Sequence, residues 1–279
     1  MKYKVAILLT LLCASFSFAQ TSTPITQKEA CAKFKSSVVR IDTAKGESAS
    51  GFIVSPDGWI MTAAHVVVDR QTGERLNTVA VRLPDGSTPT AQVFVDQDSF
   101  VRDFALLKVD AKTPLSSLEL ESGGEIADGS EITIIGYPLS AQSNYVSSIT
   151  TKFCLSGLVT ATESITQNGV RVGVVYFQGP AIKGISGGPI ISRDTGRVIG
   201  IQSQKLAFIT DGLSVVERQL TQTAGTPPVI FGANGVNLVQ STRELIQVLD
   251  RHLANGLGAA TAIGDASGFF AKTKRKYKK

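Results

Sequence analysis

An all-β fold in two halves is what this chain of 279 residues predicts, and three observations carry it. From Val38 to Gln240 the chain is dominated by short apolar or alternating runs bounded by Gly, Pro, Asn, Asp and Ser, the pattern of strands rather than long helices. Three of the breaks, Pro56-Asp57-Gly58, Pro84-Asp85-Gly86 and Asp194-Thr195-Gly196, carry hairpin turn chemistry. From Lys112 to Gly129 the strand signal gives way to Ser, Gly and Glu, and roughly equal sets of runs fall on either side, so this stretch reads as a connection between halves.

In chain order, Thr26-Gln27-Lys28-Glu29 fits a capping box that opens a short helix to about Ser36. Strands are then expected at 38–42, 51–54, 59–62, 78–83, 91–95 and 104–109, giving a first half over about 37–111. Runs at 131–135, 145–150, 155–161, 170–177, 189–191 and 198–203 build the second half over about 130–240. Ser241-Thr242-Arg243-Glu244 opens a C-terminal helix over 241–254, with Leu245, Ile246, Leu249 and Leu253 on one face and Asn255-Gly256 as its stop. Residues 256–279 are rich first in Gly and Ala and then in basic residues, without enough apolar periodicity to build another domain, and are expected to form a flexible basic tail. No internal repeat is seen at the periods of solenoids or propellers.

A hydrophobic content of 43% is ample for a buried core. Lys2 and Lys4 precede an apolar run from Val5 to Phe18 and the small-residue site before Gln20, so residues 1–19 read as a secretory signal peptide and the protein as exported, periplasmic or extracellular. The run falls short of the roughly 20 residues a membrane-spanning helix needs. The formal charge of +5 comes from the two ends: without Lys2 and Lys4 there are 26 basic against 23 acidic residues, and without the six basic residues of the tail, 20 against 23. A general nucleic-acid-binding surface is therefore not indicated, and anionic surfaces would meet only the tail. After cleavage Cys31 and Cys154 remain in an oxidising compartment, and two readings stay open: a disulfide between them, or buried thiols, with Cys31 on the apolar side of its helix beside Ala30, Phe34 and Val38. Two histidines and widely spaced cysteines offer no zinc cluster.

Chemistry concentrates in three places. Gly184-Ile185-Ser186-Gly187-Gly188-Pro189 places a serine in a turn almost free of side chains. A serine hydroxyl is a weak nucleophile unless a base removes its proton during attack, and imidazole is suited to that task near neutral pH. Of the two histidines, His252 lies in the last turn of the expected C-terminal helix, whereas His65 follows an apolar run in the small-residue context Thr62-Ala63-Ala64-His65. Asp103, entering the apolar run Phe104-Ala105-Leu106-Leu107, is the candidate to orient the base. The glycines let backbone N–H groups of Gly184 and Ser186 face a developing oxyanion.

In order and approximate spacing these three segments resemble the signatures of trypsin-like serine proteases. The bacterial HtrA/Deg branch is the nearer likeness, through Ser50-Gly51-Phe52-Ile53-Val54, Asp57-Gly58-Trp59-Ile60-Met61-Thr62 and Val198-Ile199-Gly200-Ile201. The resemblance covers about residues 30–253. It implies two six-stranded antiparallel β-barrels with His65, Asp103 and Ser186 in the cleft between them, a protease domain over 20–255, and no cofactor. The 26 residues after Leu253 are too few for the PDZ domain usual in that branch, so none is expected; a trimer is a family habit with no contact identifiable here. Ile185 replaces the polar residue usual before the nucleophile, and the segment 206–234 is long and borders the expected cleft.

By the same resemblance Pro180, Ala181 and Ile182 lie at the side-chain pocket and Ser203, Gln204 and Lys205 form the edge that pairs with an extended polypeptide substrate. The pocket segment holds no carboxylate, so a preference for small or medium apolar residues before the scissile bond is expected over Lys or Arg. The competing expectation is a catalytically idle protease fold that binds peptides.

Overall fold

The computed structural model describes residues 23–42, 48–69, 72–123, 126–138, 151–182, 184–205, 230–231, 236–237, 241–242 and 256–277. The signal peptide expected at 1–19, the strand expected at 145–150 and nearly all of the helix expected at 241–254 lie outside these residues.

Two closed six-stranded antiparallel barrels form the molecule. The first contains β1 (Val38–Asp42), β2 (Ser48–Ser55), β3 (Trp59–Thr62), β4 (Thr78–Arg82), β5 (Thr90–Phe94) and β6 (Ala105–Lys108), closed in the order β1-β2-β3-β6-β5-β4. The second contains β7 (Glu131–Gly136), β8 (Phe153–Gln167), β9 (Val170–Gln178), β10 (Pro189–Ser192), β11 (Val198–Lys205) and β14 (Leu257–Ala262), closed as β10-β11-β14-β9-β8-β7. The short strands β12 (Ile230–Phe231) and β13 (Val236–Asn237) pair with each other as a separate two-stranded sheet. Each hairpin turn read from the sequence lies where expected, between β2 and β3, between β4 and β5, and between β10 and β11.

Helix α1 (Gln27–Phe34) opens with the expected capping box, Thr26 and Glu29 satisfying each other's backbone N–H groups. Its apolar residues Ala30 and Phe34 are buried against the barrels. The Cys31–Cys154 disulfide is formed, joining α1 to β8 across 123 residues of sequence. A short helix α2 (Gln97–Val101) precedes β6, and α3 (Ile263–Tyr277) follows β14.

Strands β2 and β3 are buried almost throughout, because each faces two cores. Ile53 and Ile60 point into the first barrel with Ile41, Val81, Val93 and Leu107. Phe52, Trp59 and Met61 point the other way, into a core shared between the barrels that includes Phe104, Ile135, Ile191, Ile201 and Ile263. A separate interior of Ile132, Ile134, Val175, Phe177, Ile190 and Ile199 fills the second barrel. The shared core fixes how the two barrels sit, and the cleft between them inherits that register.

The C-terminal region corrects the sequence reading. Where a flexible tail was expected over 256–279, residues 257–277 supply the closing strand of the second barrel and a 15-residue helix. That barrel therefore extends to Ala262 and not to about 240, and Val236–Asn237 belongs to the separate pair. The closing strand hides in the sequence because its site demands small residues. A Cβ on Gly258 would stand 2.2 Å from the Phe177 ring, and Ala260 packs where a Cβ on Gly200 would come within 3.1 Å. Helix α3 then returns across the first barrel, setting Phe269 against Phe104, Phe270 and Tyr277 against Trp59, and Tyr277 against Phe94. Lys274 on the same side reaches Ser55 and Asp57 in the β2–β3 turn.

Candidate functional site

His65 leaves β3 in one turn of 3-10 helix, Ala64–Val66, with Ala63 and Ala64 wholly buried beneath it. Side chains larger than methyl there would displace the ring, which explains the small residues before the histidine. Thr62 Oγ1 donates to the Ser50 carbonyl at 2.8 Å and pins the end of β3 to β2.

Asp103 owes its position to the end of α2. The helix is capped at its start by Asp96 and Ser99. At its end the Asp103 N–H bonds the Phe100 carbonyl at 3.1 Å and the Phe104 N–H bonds the Ser99 carbonyl at 2.9 Å. These are the nested bonds of a Schellman stop, whose left-handed position is usually glycine. Here it is Asp103, at φ +58°. Aspartate tolerates this region better than most side chains because its short polar group bonds locally. The Arg102 carbonyl is held by Thr261 Oγ1 at 2.6 Å, and Arg102 Nε donates to the Arg171 carbonyl at 3.0 Å, so β14 and β9 both grip the residue before the carboxylate.

The Asp103 side chain is 9% exposed and sits against the His65 ring. Oδ1 accepts the His65 backbone N–H at 3.0 Å, and the ring Nδ1 lies 2.9 Å from Oδ2. Ser203 Oγ donates to Oδ2 as well. With Nδ1–H given to the carboxylate, Nε2 carries the free lone pair, the tautomer a general base requires.

The serine turn spends its backbone groups selectively. The Ile185 N–H bonds Ile182 O at 3.3 Å, Gly187 N–H bonds Gln202 O at 2.7 Å and Gly188 N–H bonds Ile185 O at 2.9 Å. Among the described residues the N–H groups of Gly184 and Ser186 donate to no protein acceptor. Gly184 has φ +92°, a backbone conformation that favours glycine. Ile185 is completely buried among Ile134, Val175 and Ile190, so the turn is anchored by apolar burial. Gly187 explains how closely the two barrels meet. At φ +82°, a Cβ there would lie 2.2 Å from Thr62 Oγ1 and 2.9 Å from the Ala63 nitrogen.

The structure thus joins His65 to Asp103 directly and brings the Ser186 turn against the segment that ends in His65, while Ser186 itself is half-buried with no hydrogen bond to the ring. Such contacts commonly tighten only when substrate is bound. Of the residues expected at the substrate pocket, Ala181 is buried and Pro180 and Ile182 are half-buried on the approach to the turn. Gln204 and Lys205 continue β11 opposite Ala259 and Gly258. The Ser203 hydroxyl is turned inward to Asp103, a side-chain contact that leaves the expected pairing of its main chain with substrate untouched. Beside these two residues is a cavity of about 300 Å³, walled in part by Ile165, Val172, Val174 and Tyr176 of the β8–β9 hairpin. Sequence reasoning missed the roles of Thr261 and Arg102, which gain meaning only when β14 is placed beside α2, and took Ser50 only as part of a motif.

A sequence model of the trypsin-like peptidase domain matches residues 49–201. The mitochondrial serine protease HTRA2 of Bos taurus is 34% identical over 171 residues, which are 60% of this chain and 33% of that protein. Serine protease HTRA1 of Xenopus laevis is 37% identical over 170 residues, with the same shares. The serine protease HTR4 of Rattus norvegicus is 30% identical over 239 residues, 78% of this chain and 43% of its own. The chain spans about a third of the length of the first two relatives and less than half of the third. The solved structure of the Rv3671c protease in an inactive form superposes with a TM-score of 0.56 at 20% identity, covering 90% of this chain and 98% of that one, a likeness of fold.

Proposed function

Because the chain belongs to the trypsin-like peptidase family, we propose that it is an exported serine endopeptidase acting through His65, Asp103 and Ser186. The observation that carries this reading is the pairing of a histidine oriented by a buried carboxylate with a serine turn whose two unspent N–H groups flank the nucleophile.

In the proposed reaction His65 Nε2 takes the Ser186 hydroxyl proton as Oγ attacks the scissile carbonyl carbon. The carbonyl π electrons move onto oxygen, and the Gly184 and Ser186 N–H groups stabilise the resulting charge. The C–N bond then breaks as His65 returns the proton to the departing amine. Water repeats the sequence on the acyl-enzyme and regenerates the serine. Asp103 stays ionised throughout and holds the imidazole in its working tautomer.

Small or medium apolar residues are the favoured side chains before the scissile bond, since Pro180, Ala181 and Ile182 bring no carboxylate to the pocket. An extended substrate paired with the 203–205 edge would also pass the apolar walls of the cavity beside Asp103. Export is supported by the charged and apolar pattern of residues 1–19 and by the Cys31–Cys154 bridge, a bond that persists in oxidising compartments.

Labelling of the purified full chain with a fluorophosphonate probe tests the assignment. Modification of Ser186 that disappears in Ser186→Ala and is greatly weakened in His65→Ala is the expected result. A folded protein that never reacts, yet binds peptides, would establish the idle peptide-binding alternative instead. Profiling against a peptide library tests the specificity, and dominant cleavage after Lys or Arg would overturn it.

A further inference from the structure

Ser50 lies in β2 of the first barrel, fully buried, and makes four hydrogen bonds, two of which reach carbonyls of the reactive turn of the second. Its Oγ–H donates to the Gly184 carbonyl at 2.8 Å, and the same oxygen accepts the Tyr137 N–H at 2.8 Å. Its backbone N–H donates to the Ser186 carbonyl at 2.9 Å, and its own carbonyl accepts Thr62 Oγ1 at 2.8 Å. The directions are unambiguous: a carbonyl only accepts, a peptide N–H only donates, and a hydroxyl can do one of each at once.

These bonds fix two peptide planes at both ends. The Gly184–Ile185 peptide is held at its oxygen by Ser50 Oγ and at its nitrogen by Ile182 O. The Ser186–Gly187 peptide is held at its oxygen by the Ser50 N–H and at its nitrogen by Gln202 O. Glycine alone would let the first plane rotate, because both signs of φ are open to it. Gripping that plane next to a Gly184 φ of +92° sets the direction in which the Gly184 N–H points. No looser packing can substitute for the hydroxyl, since even a Cβ on Gly136 would come within 2.8 Å of Ser50 Oγ and 2.9 Å of Ile185 Cβ.

We infer that Ser50 is a positioning residue for the oxyanion turn, acting from the opposite barrel through its hydroxyl. It makes the competence of the turn depend on the register of the two barrels and on the chain leaving β7 at Tyr137. The inference rests on the assignment of Ser186 and Gly184 proposed above.

The test compares the wild-type full chain with Ser50→Ala, with Ser50→Cys as a variant closer in size but a weak donor, and with Val81→Ala, a destabilising control inside the first barrel. Turnover of a fluorogenic apolar peptide and the rate of fluorophosphonate labelling are measured at a temperature where circular dichroism shows each protein folded. Loss of one oxyanion donor in a protease lowers kcat by about 100- to 1000-fold, so a turn left unsupported should lose roughly 10- to 100-fold in both Ser50 variants. KM should stay within about threefold and the pH dependence should keep its midpoint, because substrate contacts and the His65–Asp103 pair are untouched. Val81→Ala should lose stability and keep kcat. Overturning results are a folded Ser50 variant with kcat within about twofold of wild type, a loss confined to KM, or an equal loss of kcat in Val81→Ala. An unreactive wild type would overturn the Ser186 assignment and this inference together, whereas a reactive wild type matched by Ser50→Ala overturns only the role of Ser50.

Discussion

Asp103 holds His65 twice, accepting its backbone N–H at 3.0 Å and its ring Nδ1–H at 2.9 Å, from a left-handed position that closes a helix. One carboxylate therefore fixes both where the histidine stands and which of its nitrogens is basic. The backbone conformation that brings it there restricts which residues can replace it.

Substitutions at Asp103 should accordingly separate activity from stability. Asn tolerates the left-handed region, whereas Ala in it costs about 1 to 2 kcal/mol. Asp103→Asn is expected to fold like wild type but to lose about 10⁴-fold in kcat through the wrong tautomer. Asp103→Ala should lose comparable activity and also melt several degrees lower. Thermal melts alongside peptide hydrolysis check this, and equal melting temperatures for the two variants would remove the backbone argument.

How far the sequence announced this site follows from which of its features are local. His65, Asp103 and Ser186 each lie in a run whose composition states its role: small residues before a ring, a carboxylate before a buried strand, glycines around a hydroxyl. The capping box at Thr26 and the turns ending in Gly58 and Gly86 are local as well, and they stand where expected. What was illegible depends on distant partners. Ser203 became a partner of Asp103 only when β11 was brought past α2. Strand β14 reads as a spacer because Phe177 leaves room only for Gly at 258. Helix α3 reads as a charged tail because its four basic residues, Lys272, Lys274, Arg275 and Lys276, outnumber the three aromatic residues that dock it, Phe269, Phe270 and Tyr277. The spacing of Ile263, Ala266, Phe270 and Tyr277 was nonetheless a legible apolar face.

Docking of α3 should be acid-sensitive, and Trp59 should report it. Asp57 is raised by burial but lowered further by the hydrogen bonds from Ser55 and Lys274 and by the lysine charge, so its carboxyl ionises below its ordinary value of 3.8. A depressed carboxylate contributes stability above its unfolded value and loses it as the pH falls through the folded one. The tie to Lys274 should therefore weaken below about pH 4, the ordinary Asp value. Trp59 is the single tryptophan of the chain and stacks with Phe270 and Tyr277 of α3. Its emission should change over that range in wild type, with the change reduced in Asp57→Asn. An unaltered transition in Asp57→Asn would assign it to other groups.

Ile185 anchors the serine turn by burial, which makes the turn sensitive to volume and intolerant of charge. Truncation of a fully buried isoleucine to alanine costs about 2 to 5 kcal/mol. Ile185→Ala should lose stability in that range and also lose kcat, since the shortened side chain no longer anchors the turn among Ile134, Val175 and Ile190. Ile185→Asp should be more destabilised still, because an uncompensated carboxylate would enter the core of the second barrel. Denaturant unfolding measures both, and an aspartate variant as stable as wild type would show that the side chain escapes the core.

The disulfide should matter to the stability of the whole and little to the chemistry. Cys31 and Cys154 lie 123 residues apart, joining α1 to β8, and disulfides typically contribute about 2 to 4 kcal/mol by restricting the unfolded chain, more for long loops such as this. Other ties cross the same junction: Lys152 Nζ donates to the carbonyls of Lys35 and Val38 at 2.7 and 3.1 Å, and Thr133 Oγ1 donates to Gln27 Oε1 at 2.8 Å. With the bridge removed these contacts keep α1 in place, and the hydrogen bonds among His65, Asp103 and Ser203 do not pass through it. The double variant Cys31→Ala, Cys154→Ala should therefore melt well below wild type while its kcat near 25 °C stays within about twofold. Thermal unfolding with and without reductant, paired with peptide hydrolysis well below the melting temperature, checks both halves. A large fall in kcat in the folded variant would mean that α1 and β8 reach the serine turn through the Cys154–Ile135 register, since a Cβ on Gly188 would stand 2.4 Å from the Ile135 carbonyl.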